Sequence, residues 1–418
     1  MSEIADQQIA VIGGGIIGVS IGLRLQSLGA RVTLFDRKGI AGEASQGNAG
    51  AFAFSEIMPL AGPGILTKAP GWLLDPLGPL SIPPRYALHL APWMLRFWRA
   101  SWRDRFQSSM QAQAQLMALA RQALERQIAD ADGEALMQRD GQLQLFEGEA
   151  EFRASLPIWE LRRKHGIRHD LLTTTEEIAE IQPGLDPRFT HAGFTPDWSN
   201  VTDPKAWCDH LASCFVARGG QVEIAQVTGL EAQGAGARIR LEARQCQFDR
   251  VVLAAGAWSR DLARQLGDRV PLETERGYNT TLPEGAFDLR CHLTFGRHGF
   301  VASRINGGLR IGGAVELGGL KLPPNYRRAE ILMQKAKAFL PGLRDQGGTQ
   351  WMGFRPSLPD SLPVIGRARA SKVVIYAFGH GHLGLTQSAA TAELVADLIT
   401  ARAPEIETEA FSAQRFRF

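Results

Sequence analysis

The chain has 418 residues, 44% of them hydrophobic and 21% charged, with a formal net charge of +3. That apolar content can bury the cores of two domains, or of two interleaved ones, and the scattered Lys and Arg form no basic block, which argues against nucleic acid as a partner. The cysteines Cys208, Cys214, Cys246 and Cys291 lack CxxC spacing, so no metal site or thioredoxin-like motif is predicted, and a reducing cytosol suits them.

The first predicted unit is a strand over Ile9 to Ile12, a glycine turn, an apolar helix to Leu28 stopped by Gly29, and a strand over Val32 to Phe35. The apolar run from Ile9 to Leu23 is glycine-rich and lacks a basic leader and cleavage site, so it reads as part of the fold. Within it, Gly13-Gly14-Gly15-Ile16-Ile17-Gly18 satisfies GxGxxG between strand and helix, with Asp36 and Arg37 after the second strand. Gly13 permits the tight turn, Gly15 lets a pyrophosphate approach the helix N-terminus, and Gly18 lets the helix pack on the strand. Asp36 is placed to accept hydrogen bonds from an adenosine ribose, which favours FAD or NAD over NADP.

Residues 55 to 90 are rich in Pro and Gly and read as an irregular surface excursion. Trp93, Phe97, Trp98, Trp102 and Phe106 then fall at helical spacings beside Arg96, Arg99, Arg103 and Arg105. Such a helix suits either burial of its aromatics or contact with an anionic membrane. A helix from about Met110 to Ala131 and a half-buried strand over Gln142 to Phe146 follow. Thr174-x-x-Glu177 forms a capping box, and Asp203-Pro204 opens another helix.

Val222 to Ala225 and Val251 to Ala254 are expected as fully buried parallel strands joined to the N-terminal unit. Alternation in Gly299 to Ala302 and Leu309 to Ile311 suggests an antiparallel sheet. The expected division is a Rossmann nucleotide domain over 1–90, 200–265 and 350–418, interleaved with a smaller α+β domain over 91–199 and 266–349. A last buried strand, Val373 to Phe378, leads through a glycine-rich turn into a helix near Gly384 to Thr400.

Three further segments suit a dinucleotide. Ser45, Asn48, Ala49 and Gly50 follow the second strand with small residues, a hydroxyl and an amide; Ala255, Gly256 and Trp258 end the buried 251–254 strand, and Val227 follows the 222–225 strand. Gly379, His380, Gly381, His382, Leu383, Gly384, Leu385 and Thr386 join the last strand to the last helix, where backbone N–H groups and the helix dipole can stabilise negative charge.

In this order the four segments resemble the D-amino-acid oxidase superfamily of FAD enzymes across nearly the whole chain. The Pro-rich stretch from Met58-Pro59-Leu60 through Lys68-Ala69-Pro70-Gly71-Trp72-Leu73-Leu74 resembles its bacterial D-amino acid dehydrogenase branch. The resemblance implies a glutathione-reductase-like α/β fold, non-covalent FAD, a small D-amino acid substrate, and electron delivery to a respiratory quinone or another acceptor.

Gly353-Phe354-Arg355-Pro356 matches the family motif whose arginine grips the substrate carboxylate, and no cysteine for flavin attachment stands between Met352 and Asp360. By the same resemblance Tyr278 is a second carboxylate contact or a pocket wall. His380 and His382 hydrogen-bond the flavin or shape the pocket. Other members carry a lysine- and serine-containing version of the Glu275–Asn279 strand, which leaves the preferred D-amino acid open.

The implied reaction moves hydride from the substrate Cα to flavin N5, giving an imino acid. D-proline or cis-4-hydroxy-D-proline is favoured by family analogy. A sarcosine- or glycine-type oxidase, a subunit of a multi-component amine dehydrogenase, and an NAD enzyme remain as alternatives. The expected location is cytoplasmic, or peripheral on the inner face of the cell membrane if the 93–106 segment touches lipid.

Overall fold

The computed structural model describes residues 4–65, 71, 73, 75, 78 and 80–416. Much of the Pro-rich 66–79 stretch, including Lys68, Pro70, Trp72 and Leu74, lies outside the described residues.

A six-stranded sheet carries the nucleotide half. Its spatial order is Gln221–Ile224, Arg31–Asp36, Gln8–Ile12, Arg250–Leu253, Val374–Phe378 and Val364–Arg367, parallel except for the last pair. The order reverses direction beside Gln8–Ile12, so the carboxyl ends of the central strands open a crevice at a topological switch point. Central strands are buried on both faces and hence almost wholly apolar, as Val251, Val252 and Leu253 are. The expectation for Val222 to Ala225 is corrected: Gln221–Ile224 is an edge strand, and Ile224 is 71% exposed. A short apolar run reads the same from either position, and only pairing distinguishes them.

The second sheet has nine strands and is mixed. Thr349–Ser357 and Gly308–Leu317 flank Glu273–Leu282 antiparallel, whereas His292–Phe295 runs parallel to Gln142–Glu147. The boundary drawn at 350 therefore falls inside a strand of this sheet. The helix Arg103–Ala131, placed by sequence in the second domain, packs Leu116, Leu119, Ala120, Leu124 and Ile128 into the core of the nucleotide half. The amphipathic stretch is divided between Pro84–Ala100 and Arg103–Ala131, broken at Ser101 and Trp102. Trp93 is buried and stacks on Phe97, while Trp98 and Trp102 are 41% and 46% exposed.

Two caps form as their sequences predict. Thr174 and Glu177 make a reciprocal capping box, and Asp203 accepts from the amides of Lys205 and Ala206. The helix Ile16–Ser27 begins under stricter constraint, because a Cβ on Gly18 would lie 1.9 Å from the carbonyl oxygen of Gly13. An exposed helical Gly→Ala change ordinarily stabilises by about 1 kcal/mol; here backbone overlap reverses the sign. Gly18→Ala is expected to destabilise by about 1–3 kcal/mol and to weaken FAD retention, measured by thermal melting and by flavin absorbance after gel filtration. An unchanged melt would mean the turn relaxes freely.

Candidate active site

One cleft of about 810 Å³ runs from the first glycine turn to the face of the nine-stranded sheet, within the size range of roughly 300–1,000 Å³ typical of ligand sites. At its nucleotide end Gly13 has φ 119°, and a Cβ there would lie 2.3 Å from the Ala254 oxygen, so the turn touches the neighbouring strand end with no room for a side chain. Gly15 opens on the cleft, where a Cβ would meet only Ser45 Oγ at 3.0 Å. The Ser45 hydroxyl caps the helix by accepting from the Ile16 amide at 3.0 Å. Asp36 accepts from the amides of Gly14 and Lys38, both at 2.7 Å, and lines the cleft. Arg37, ion-paired with Glu43, lies 3.9 Å over the Trp258 ring and walls this end.

Of the other sequence-predicted cofactor residues, Ile16, Ile17, Asn48, Ala49, Val227, Ala255, Gly256, Gly381, Leu383, Gly384 and Leu385 also line the cleft. The first amides of the Gly384–Thr400 helix lack intrahelical partners and open there, a suitable end for negative charge. Several predicted contacts act one layer away instead. Gly18 serves packing. Gly50, at φ 70°, takes the Asn48 side-chain oxygen on its amide. Gly379, at φ 87°, turns the chain against Leu358. Thr386 is 1% exposed, and its hydroxyl accepts from the Ala53 amide at 3.0 Å, tying that loop to the helix. His380 lines the cleft, but its Nε2 is joined to Thr391 Oγ1 at 2.9 Å and it is 3% exposed, so it anchors the turn.

Strand parity decides the substrate end. On Glu273–Leu282, Glu275, Gly277 and Asn279 face the cleft; the Arg276 side chain faces away, and Tyr278 borders the cleft while its hydroxyl turns to the far layer. Asn279 Nδ2 donates to the Gly47 carbonyl at 2.7 Å. Tyr278 is 1% exposed, donates to Glu316 Oε1 at 3.2 Å and accepts from the Asn325 amide. Its expected role as a carboxylate contact is therefore corrected: the hydroxyl is spent inside the sheet's far layer. Burial, chiefly, raises its pKa. Arg276 is equally internal, paired with Glu316 at 3.1 Å and donating to three carbonyls.

Arg355 lies on the cleft face. Glycines clear its path: a Cβ on Gly277 would lie 2.3 Å from its Nη2. Its Nη1 donates to the Ala314 carbonyl at 3.0 Å, at a bulge where Ala314 has φ 57°. Among the described residues it has no ion-pair partner. Burial lowers its pKa, although an arginine remains charged. His382 opens on the cleft with an exposed side chain; desolvation lowers its pKa, Glu275 raises it and Arg355 lowers it.

Sequence reasoning missed the groups that hold the cofactor loop against the sheet. Besides Asn279, Arg310 Nη1 donates to the Asn48 carbonyl at 2.6 Å, and Trp351 packs where a Cβ on Gly47 or Gly353 would collide with its ring. Glu275 was quoted only as a neighbour of Tyr278, and alternation along that strand was the signal that could have found it.

An extended cleft with a glycine-cleared phosphate turn, a ribose acceptor and a helix N-terminus at its far end fits FAD, and none of the four cysteines lines it. Fold and site together define a two-sheet flavin oxidoreductase. The family model for DAO, FAD dependent oxidoreductase, matches residues 8–398, and the chain belongs to that family. It is 37% identical over 419 residues to a D-amino-acid oxidase of Bradyrhizobium diazoefficiens, covering 98% of this chain and 99% of that one. It is 30% identical over 421 residues to D-amino acid dehydrogenase 1 of Mesorhizobium japonicum, with 98% and 99% covered. Among solved structures it resembles glycine oxidase from Geobacillus kaustophilus, with a TM-score of 0.78, 20% identity and 99% and 100% coverage. The protein is thus an FAD-dependent oxidoreductase.

The buried histidines generate a pH prediction. Burial pushes His380 and His292 down to about 3 from 6.5. As pH falls below about 6.5 the unfolded chain takes up these protons first, so stability present above that pH is lost progressively toward pH 3. His380→Gln is expected to narrow the difference in melting temperature between pH 7 and pH 5. An unaltered difference would assign the acid sensitivity elsewhere.

Proposed function

We propose that this enzyme is a D-amino acid dehydrogenase acting at the substrate α-carbon. The observation that carries the reading is Arg355: a guanidinium without an ion-pair partner among the described residues, on the cleft face where Gly277 leaves it room. Arg355 receives the substrate carboxylate through paired charge-assisted hydrogen bonds. The Ala314 carbonyl holds one N–H and aims the rest. Trp351, on the same strand face as Arg355, and the tethered 45–50 loop packed on its ring wall the site, and His382 borders the bound amine. Bound FAD supplies the acceptor for the hydride that leaves Cα.

The relatives named D-amino-acid oxidase and D-amino acid dehydrogenase support an amino acid substrate of D configuration. The preferred substrate in this reading is a cyclic one, D-proline or cis-4-hydroxy-D-proline, and the acceptor a quinone. Use of O2 is the second reading, favoured by the name of the 37% identical relative. Within this function the Rossmann sheet and its helices form the FAD domain, and the nine-stranded sheet the substrate domain.

No helix among the described residues is long and apolar enough to cross a membrane. Leu88, Leu95, Trp98 and Trp102 are 90%, 64%, 41% and 46% exposed near Arg103 and Arg105, which supports peripheral contact with anionic lipid. The protein is expected to float with anionic vesicles and to stay behind with neutral ones, the binding being lost in a Trp98→Ala/Trp102→Ala variant; sedimentation away from both kinds would remove membrane contact from the reading.

Anaerobic addition of D-proline or cis-4-hydroxy-D-proline is expected to bleach the flavin absorbance, the L-enantiomers to leave it, and admission of air to restore it slowly. Fast recovery with peroxide would select the oxidase. Arg355→Ala should lower kcat/KM at least about 100-fold through loss of two charge-assisted bonds; retention of activity would remove Arg355 from the site.

A further inference from the structure

The substrate end of the cleft holds a carboxylate that the mechanism above does not use. Glu275 stands opposite Arg355 in the antiparallel pair, so the two project from one face of the sheet. Glu275 is 5% exposed, lines the cleft, and makes no hydrogen bond or ion pair among the described residues. Its charge acts on Arg355 and His382, yet no ion pair closes with either among the described residues. Arg355 swings across Gly277 to the Ala314 carbonyl instead of closing on Glu275. Arg276, the next residue, is turned to the other face and bound to Glu316. Glu56, the other carboxylate in this part of the cleft, is already paired with Arg162 at 3.0 Å.

Among the described residues, Arg355 and Glu275 thus stand on adjacent strands at this end of the cleft without closing an ion pair. Facing positions of such a pair stand roughly 4.5–5.5 Å apart at Cβ, a separation suited to a ligand whose own opposite charges sit on one carbon. We propose that Glu275 is the specificity-determining residue that receives the protonated amine of the substrate whose carboxylate Arg355 holds; the bound ammonium gives up one proton to water before hydride leaves Cα, since imine formation needs the nitrogen lone pair. This rests on the amino-acid reading above and adds to it a reason for choosing amines: a simple carboxylate satisfies Arg355 and leaves Glu275 without a donor, and a 2-hydroxy acid offers it only a neutral hydrogen bond in place of a charge-assisted one. The competing role is a plain counter-ion, Glu275 balancing the charge of Arg355 without touching ligand.

Two isosteric acids separate these roles. 2-Aminoisobutyrate has no Cα hydrogen to lose and so binds without turnover, and 2,2-dimethylpropanoate replaces its ammonium by a methyl group. Calorimetric titration of the FAD-loaded enzyme is expected to show the amino acid bound at least about tenfold tighter, the range of a charge-assisted hydrogen bond. In Glu275→Gln the ratio should collapse to within about threefold, with dimethylpropanoate bound no more weakly than by wild type, and Glu275→Asp should restore part of the preference. A wild-type enzyme that does not distinguish the two acids overturns the proposal without recourse to any variant. So does a folded Glu275→Gln enzyme that keeps the wild-type ratio, the result a plain counter-ion gives. Failure of wild type to bind either acid overturns the amino-acid reading itself, and the proposal with it.

Discussion

The structure depends on one close approach of backbone to backbone. Where the first strand ends, Gly13 presses against Ala254 and Gly18 against Gly13, so that three chain segments meet with no side chain between them. The strand Arg250–Leu253 can then lie beside Gln8–Ile12, and the sheet order reverses at that point. The crevice follows from this reversal, because helices leaving the two central strands depart on opposite sides. Every later contribution to the cleft, from the 45–50 loop to the Gly384–Thr400 helix, is placed relative to that crevice.

A second constraint is electrostatic. The strand Glu273–Leu282 carries alternating chemistry on two faces. Outward from the cleft, Arg276, Glu316 and Tyr278 form a satisfied internal network. Such a network leaves no charge over and ties two strands to the 319–325 loop. On the cleft face, Arg355 and Glu275 are close in sequence pairing yet unpaired in space. Glycines at 277, 312 and 353 keep that face low enough for a planar group to approach. Conformational rigidity on one side thus supports ligand-ready charges on the other.

The nucleotide half was legible in the chain because its signals are local. A GxGxxG turn between strand and helix, an acidic residue after the next strand, and caps such as Thr174 with Glu177 are set by neighbouring residues. Arg355 was legible through its Gly-Phe-Arg-Pro context. Tyr278 borders the cleft as a wall and does not offer its hydroxyl to it, since parity decides which face a hydroxyl reaches and is set by pairing partners far along the chain. Val222 was taken as buried for a related reason: an edge strand and a central strand share the same apolar letters.

The sequence by itself determined the βαβ turn and the cofactor class, and it singled out Arg355 for test, because each rests on contacts within a few residues or on a motif. Only the tertiary structure decided which residues share the cleft with that arginine. Glu275, Asn279, Arg310 and Trp351 come from strands separated by many residues, and their common face follows from the register of Glu273–Leu282 between Gly308–Leu317 and Thr349–Ser357. Register is a long-range property, fixed when both faces of the sheet are buried at once.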